Sequence, residues 1–295
     1  MYKIDNKYLT LEKLHKIVHE QLSVELSIDA NKRILDCRSF LDEKYDNSIP
    51  IYGVNTGFGS LCNESISHEN LEKLQVNLVI SHACGLGEEV PSSIVKLMLL
   101  LKIKSLSQGF SGVQLKTVNR LIDFYNEDIL PVVYQQGSLG ASGDLAPLAH
   151  LSLPLLGLGQ VYYKGQKVNS DQVLKEMSWK PICLKSKEGL ALLNGTQFMS
   201  AYALDVLFKS YKLSYLADLI GSISLEAFDG RLEPFNELVH IIRPHNGQLK
   251  TAKNISEFLE GSDLIKQDKV NVQDPYSIRC MPQVHGASKD ALEYA

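Results

Sequence analysis

The chain has 295 residues, 44% of them hydrophobic, and its 30 basic and 34 acidic side chains give a net charge of −4 at pH 7. This hydrophobic fraction is ample for one large globular domain or two. The balanced charge, without a basic block, excludes the electrostatic footprint of a protein that binds nucleic acid or anionic membranes, so we expect small-molecule partners.

The sequence predicts a cytoplasmic protein. Residues 1–5 are not followed by the apolar run of a signal peptide, so no secretory segment is predicted. The apolar stretch 213–228 is interrupted by Asp218 and Glu226, so no membrane-spanning segment is predicted. The five cysteines are odd in number and widely spaced. This spacing argues against a disulfide framework or a zinc site and favours reduced, mostly packed thiols.

Helical periodicity dominates the first half of the chain. Thr10 is placed to cap a first helix with an apolar face over 11–18, and a second helix is predicted over 34–41. The stretch 48–61 is rich in glycine and other turn formers, so it is predicted to be a loop. Three further helices are predicted over 71–85, 91–109 and 115–122.

The second half opens on a distinctive run. Residues 137–150 read Gly-Ser-Leu-Gly-Ala-Ser-Gly-Asp-Leu-Ala-Pro-Leu-Ala-His, which predicts a helix start with Asp144 as N-cap and Pro147 in the first turn. Residues 160–168 predict a small hairpin. Apolar residues at helical spacing over 188–228 predict one long helix or two helices in series.

The centre of this run, Ala141-Ser142-Gly143, can form a carbon electrophile from its own backbone. Glycine reaches conformations closed to other residues, so the amide nitrogen of Gly143 can be pressed against the carbonyl carbon of Ala141. Cyclisation and loss of the Ser142 hydroxyl would leave a methylidene on an imidazolone ring. From composition alone a capped turn is the simpler interpretation. The two are compatible because a helix N-terminus stabilises a developing anion.

The whole run over 137–150 resembles the signature of the aromatic amino acid lyase family, in which Ala-Ser-Gly becomes a 4-methylidene-imidazol-5-one group without any external cofactor. The resemblance implies a mainly α fold. An N-terminal mixed domain, 1–187, would contain the small hairpin and carry the prosthetic-group loop. Residues 188–295 would begin a long central helical bundle of the aspartase-like superhelix type. We expect this bundle to be truncated, because family members run on through a further helical region and form homotetramers with composite active sites.

Two further segments match functional positions of the family. Tyr52, in Tyr-Gly-Val-Asn-Thr-Gly-Phe-Gly, matches the catalytic tyrosine that removes the β-proton. A phenol has an unperturbed pKa of about 10, so this role needs neighbouring positive charge or hydrogen-bond donors. Asn194, in Asn-Gly-Thr, matches a residue that holds the substrate carboxylate and the surroundings of the electrophile. Considered without the resemblance, Tyr52 is a loop anchor and Asn194 a structural cap.

The segment 272–286 carries Gln273, Tyr276 and Arg279 at three-residue spacing, which projects them from one side if the backbone is helical or nearly so. Arg279 suits a substrate carboxylate because a guanidinium makes two parallel charge-assisted bonds. An ordinary ion pair within the protein would explain it equally well. The resemblance to the family's substrate segment assigns substrate binding to Gln273 and Arg279. It assigns proton handling, or orientation of the prosthetic group, to Tyr276.

His82 is the candidate for substrate choice, because this position faces the substrate side chain in the family. Ser81-His82 resembles the histidine-using members, although some tyrosine-using bacterial members also carry histidine here. The expected reaction is elimination of ammonia from L-histidine to give urocanate. The alternatives are a tyrosine or phenylalanine ammonia-lyase, an aminomutase and an inactive helical assembly fragment. His15 and His19 lack a nearby third ligand in the sequence, so no metal site is expected.

Overall fold

The computed structural model describes residues 1–45, 50–58, 66, 68–138 and 140–295. It is mainly helical, which confirms the predicted fold class. The described helices are α1 Leu11–His19, α2 Ile28–Tyr45, α3 His68–His82, α4 Ser92–Leu106, α5 Leu115–Asn126, α6 Leu145–Ser152, α7 Ser170–Glu176, α8 Glu188–Leu193, α9 Gln197–Ala227, α10 Glu237–His240, α11 Asn246–Phe258, α12 Tyr276–Arg279 and α13 Met281–Tyr294. Short 3₁₀ helices span Leu153–Leu156 and Glu233–Phe235.

The strands in the described part of the chain are short and form three small sheets. They are β1 Tyr2–Ile4, β2 Val24–Leu26, β3 Leu86–Glu89, β4 Leu130–Pro131, β5 Tyr134–Gln136, β6 Gln160–Tyr163 and β7 Gln166–Asn169. Strand β1 pairs in parallel with β2, β3 pairs antiparallel with β5, and the third sheet has the order β4-β6-β7. The predicted hairpin is therefore present as β6 and β7. Lys164 and Gly165 turn it with φ of 50° and 74°, as a two-residue type I′ turn requires.

Several predicted helix boundaries are confirmed by the backbone. Thr10 accepts a hydrogen bond from the N–H of Lys13 and so caps α1. Pro91 occupies the N-cap of α4. The apolar stretch over 188–228 forms two helices in series, α8 and α9, separated by Asn194-Gly195-Thr196. Of the predicted glycine-rich loop over 48–61, positions 48–49 and 59–61 lie outside the described residues.

The chain divides into two compact units, Met1–Leu204 and Asp205–Ala295, and each is described by itself. The predicted domains, 1–187 and 188–295, stay a prediction. In the first unit, most residues of α4 are buried, and the helix packs against α5. Helices α3, α6 and α8 pack against one another. These three helices position the candidate site residues of this unit.

In the second unit, α11 packs against α13. The core contains Leu225, Phe235, Ile255, Leu259 and Met281.

A buried carboxylate ties the helices of this second unit together. Asp218 of α9 is fully buried and accepts hydrogen bonds from His285 Nδ1 at 2.9 Å, Asn254 Nδ2 at 2.7 Å and Lys289 Nζ at 2.9–3.0 Å. A buried charge is tolerated when it is paired and hydrogen-bonded in this way.

No described helix is long and apolar enough to cross a membrane. The described cysteines are free. Cys84 and Cys183 are exposed, so the expectation of mostly packed thiols was wrong for these two, which lie on loops where apolar periodicity gives no information. Cys62 lies outside the described residues.

Candidate active site

Ala141, Ser142 and Gly143 form a turn immediately before α6. The side chains of Ala141 and Ser142 are exposed. The backbone N–H of Gly143 donates to the carbonyl oxygen of Gly140 at 3.3 Å, and Gly143 has a φ of +98°. An L-residue with a side chain rarely adopts this conformation. The turn therefore depends on glycine at its last position.

A second glycine presses on this turn. Gly143 and Gly195 form an isolated parallel β-bridge, and the Asp144 N–H donates to the Gly195 carbonyl oxygen at 2.8 Å. A Cβ built on Gly143 would lie 2.2 Å from the Gly195 oxygen, far inside van der Waals contact. The backbone that follows Asn194 is thus packed directly against the Ser142–Gly143 backbone.

Asp144 has a different role from the one its sequence position suggests. It occupies the N-cap position of α6, but its side chain makes no capping hydrogen bond to that helix. Its buried carboxylate instead accepts from Ser138 Oγ at 3.0 Å and from the N–H groups of Phe198 and Met199 at 3.1 Å. Asp144 therefore caps α9, where the carboxylate satisfies two unpaired N–H groups and complements the positive end of the helix.

Helix α8 is fixed at its start by buried polar groups. The fully buried carboxylate of Glu188 accepts from the Gln114 N–H at 2.9 Å and from Thr117 Oγ1 at 2.6 Å. The side-chain oxygen of Gln75, on α3, accepts from the Gly189 N–H at 2.9 Å. These bonds fix where α8 begins; the helix ends at Leu193, one residue before Asn194.

Asn194 is the C-cap of α8. Its Nδ2 donates to the Leu190 carbonyl oxygen at 2.9 Å. Its own carbonyl oxygen accepts from Nζ of Lys102 at 2.9 Å, and the Ala191 carbonyl oxygen accepts from the same nitrogen at 3.0 Å. Burial lowers the pKa of Lys102 to about 7, and attraction to Asp144 opposes that shift.

The sequence reasoning did not single out Lys102. It lies in the otherwise apolar run Met98–Ile103 of α4 and is only 1% exposed. A single lysine within such a run is the available signal, since lysine is almost never fully buried unless it is hydrogen-bonded.

Tyr52 lies on a loop that packs against α8. A Cβ built on Gly53 would lie 2.6 Å from Leu190 Cδ2, so the loop backbone touches the helix that precedes Asn194. The Tyr52 side chain is 53% exposed, and its ring meets Phe58 edge-on with centroids 6.2 Å apart. The loop that carries Tyr52 thus packs against α8, and the turn at Ser142 contacts Gly195, which follows the same helix.

His82 is the last residue of α3. Its Nδ1 lies 2.8 Å from the Leu78 carbonyl oxygen, which can only accept, so Nδ1 carries the hydrogen and Nε2 is the acceptor of the neutral ring. Three residues later, the Gly85 N–H donates to Nε2 of His150, on α6, at 3.0 Å. The segment that carries His82 is thus tied to the helix that follows the Ser142 turn.

This tie makes the stability sensitive to acid. Burial lowers the pKa of His150 below its ordinary value of 6.5, and Nε2 accepts from Gly85 only while it is unprotonated. The unfolded chain takes up the proton first, so the contribution is complete above about pH 6.5 and is lost as the pH falls through the lowered folded pKa. We expect His150→Gln, whose amide oxygen can accept from Gly85, to remove this loss in urea unfolding at pH 5 to 8. The exposed control His19→Gln should keep it, and an unchanged pH dependence in His150→Gln would contradict the assignment.

In the second unit, Gln273, Tyr276 and Arg279 lie together. The guanidinium carbon of Arg279 lies 4.0 Å from the Tyr276 ring centroid, and its Nε donates to the Asp274 carbonyl oxygen at 3.0 Å. With the Gln273 amide turned to face it, the amide oxygen accepts from Nη2 and Nε of Arg279 at 2.9 and 3.1 Å. The helix here spans only Tyr276–Arg279. Gln273 therefore reaches Arg279 from the preceding turn and not from the same helical face.

Among the described residues, no group of three or more His, Cys, Asp or Glu side chains is placed to hold a metal ion. The His15 and His19 rings lie with centroids 5.2 Å apart.

Comparisons with known proteins place these residues in a wider context. The sequence model of the family described as aromatic amino acid lyase matches residues 9–295. The chain is 43% identical over 292 residues to a histidine ammonia-lyase of Caldanaerobacter subterraneus, an alignment covering 99% of this chain and 58% of the relative. The chain thus spans little more than half the length of the curated relatives it matches.

Solved structures show the same likeness. Histidine ammonia-lyase from Trypanosoma cruzi has a TM-score of 0.87 and 35% identity, over 99% of this chain and 55% of that one. Tyrosine aminomutase from Streptomyces globisporus has a TM-score of 0.91 and 31% identity, over 99% of this chain and 59% of that one.

Proposed function

This chain belongs to the aromatic amino acid lyase family, and we propose that it acts as a carbon–nitrogen lyase that eliminates ammonia from L-histidine and gives trans-urocanate. The observation that carries the proposal is the glycine-dependent turn at Ser142, with the backbone of Gly195 pressed against it. An ordinary turn at a helix start does not require a second glycine, here Gly195, packed against its backbone.

The prosthetic group of the family is a 4-methylidene-imidazol-5-one, and we assign its formation to Ala141, Ser142 and Gly143, without an external cofactor. The residues present fit this group. Gly143 has the positive φ and the close contact that exclude any side chain, and the hydroxymethyl group of Ser142 is exposed. The group supplies a carbon electrophile that turns the substrate nitrogen into a better leaving group.

The chain's own side chains supply the remaining chemistry of this proposal. Tyr52, on the loop against α8, removes the β-proton. In the second unit, Arg279 binds a substrate carboxylate, and Gln273 orients the guanidinium that it contacts. In the first unit, Asn194 is assigned to carboxylate binding as well. Tyr276, stacked on that guanidinium, assists the proton transfer or orients the prosthetic group.

His82 supports histidine as the substrate. With its hydrogen on Nδ1, the ring offers Nε2 as an acceptor, which can receive the N–H of an imidazole. The same acceptor can receive a phenol O–H. Because a tyrosine aminomutase shares the fold at a TM-score of 0.91, action on tyrosine, with or without return of the ammonia to the β-carbon, is the second candidate. A homotetrameric assembly and a cytoplasmic location are part of the same proposal.

Intact mass and product analysis test this function together. We expect the purified protein to be lighter than its sequence by two water molecules, and to give urocanate from histidine with a higher kcat/KM than for any product from tyrosine or phenylalanine. A β-amino acid product would identify an aminomutase. A full, unmodified mass together with no ammonia from any of the three amino acids would overturn the proposal in favour of an inactive assembly module.

A further inference from the structure

Lys102 is a charged residue in the middle of a buried helix. It is 1% exposed, within a stretch of α4 whose neighbours Leu99, Leu100 and Ile103 are fully buried. Taking a lysine out of water is costly unless its nitrogen finds hydrogen-bond acceptors in fixed positions. The position of these acceptors in the fold therefore indicates the role of Lys102.

Both acceptors of Lys102 are main-chain oxygens at the end of α8. Nζ donates to the carbonyl oxygens of Ala191 and Asn194 at 3.0 and 2.9 Å. These are among the last carbonyls of a helix, which have no partner within it. Both the ammonium and the neutral amine have enough hydrogens to donate twice, so this contact exists in either protonation state.

The Asn194 carbonyl belongs to the peptide that continues into Gly195. Because that peptide is planar, fixing its oxygen also fixes the plane of the Gly195 N–H. Gly195 is bridged to Gly143, and its oxygen accepts from the Asp144 N–H at 2.8 Å. An unbroken path of one hydrogen bond, one planar peptide and one backbone bridge thus runs from Lys102 to the Ala-Ser-Gly turn.

We infer that Lys102 is a positioning residue for ring closure, which holds the Asn194–Gly195 peptide against Gly143 so that this turn stays compressed. The inference rests on the proposed function and concerns the making of the prosthetic group. In that step the Gly143 nitrogen bonds to the Ala141 carbonyl carbon, and the Gly143 amide hydrogen moves to the Ala141 oxygen. The hydroxyl so formed leaves as water with the Ser142 amide hydrogen. The Ser142 hydroxyl then leaves as a second water with the hydrogen from its Cα, and no oxidant is needed.

Lys104 offers a matched control on the same helix. It is partly buried, and its Nζ also donates to two main-chain oxygens, those of Asp5 at 2.5 Å and Lys7 at 2.8 Å. It therefore makes the same kind of contact as Lys102 but holds Asp5 and Lys7, which precede α1, and not the peptide that follows Asn194.

The test compares Lys102→Met with Lys104→Met by the time course of the loss of two waters in the intact mass, after expression and after refolding. We expect Lys102→Met to keep its far-ultraviolet circular dichroism but to close the ring roughly tenfold to a hundredfold more slowly, as for a small misplacement of reacting groups. Lys104→Met should close it at the wild-type rate. Because the intact mass reports ring closure and not turnover, this measurement separates ring making from the later reaction.

Lys102→Arg keeps donors at the same place, and we expect an intermediate rate of ring closure. A wild-type rate in Lys102→Met overturns the inference. If Lys102→Met does not fold, Lys102→Gln, whose side chain is one bond shorter, replaces it, and a wild-type rate in that variant overturns the inference. If the wild-type chain itself never loses two waters, the proposed function fails. If the wild type and Lys102→Met both lose two waters at the same rate, only the inference about Lys102 fails.

Discussion

Replacing Ser142 with alanine should prevent the loss of the second water and sharply reduce the release of ammonia. The methylidene carbon is the Cβ of Ser142 after its hydroxyl has left, and alanine has no group to lose. Ser142 is exposed, so the variant should fold normally. We expect the rate to fall by a factor on the order of 10⁴, as when a covalent catalyst is removed and binding is kept.

Intact mass and a coupled ammonia assay on Ser142→Ala measure this effect. Ser105→Ala is the control, since Ser105 is an exposed serine on α4 whose hydroxyl is remote in sequence from the motif. It should show the wild-type mass loss and rate. Wild-type turnover by Ser142→Ala would mean that the reaction needs no electrophile from this residue.

Replacing Gly143 with alanine should block ring formation and destabilise the fold. The new Cβ would lie 2.2 Å from the Gly195 carbonyl oxygen and 2.8 Å from its carbon. Both are backbone atoms, so no side-chain rotation relieves the clash. The φ of +98° adds strain of its own, and we expect a loss of about 3 kcal/mol in the free energy of unfolding.

Gly165→Ala separates the clash from the backbone strain. Gly165 also has a positive φ, +74°, but a Cβ there would meet nothing within 4 Å. This control should cost only about 1 kcal/mol in urea unfolding and should keep the loss of two waters. A Gly143→Ala variant that is as mildly affected as Gly165→Ala, and that still matures, would show that the turn tolerates a side chain.

Local signals in the sequence were sufficient for most of the helices. The Thr10 cap, the Pro91 helix start and the turn at Lys164-Gly165 are determined by residues within a few positions of one another, so periodicity and turn chemistry predicted them. The sequence over 188–228 does not distinguish one helix from two, because it remains apolar on both sides of Asn194.

The contacts that organise the candidate site join distant parts of the chain. Lys102 bonds a carbonyl 92 residues away, and the Asp144 carboxylate caps a helix that begins more than 50 residues later. Neither partner leaves a periodic trace in the sequence. Position alone therefore predicted the wrong helix for the Asp144 side chain and gave no role to Lys102. The roles of Tyr52, His82 and Arg279 came from the family resemblance and stay proposals.

The Asp144 carboxylate also sets a time at which the turn acquires its folded surroundings. Its partners, the N–H groups of Phe198 and Met199, follow it by 54 and 55 residues. A ribosome adding roughly 5 to 20 residues per second needs on the order of several seconds to supply them. A nascent chain that has not yet emerged through Met199 cannot form this anchor. Under the proposed function, we therefore expect the loss of two waters only in chains synthesised beyond Met199.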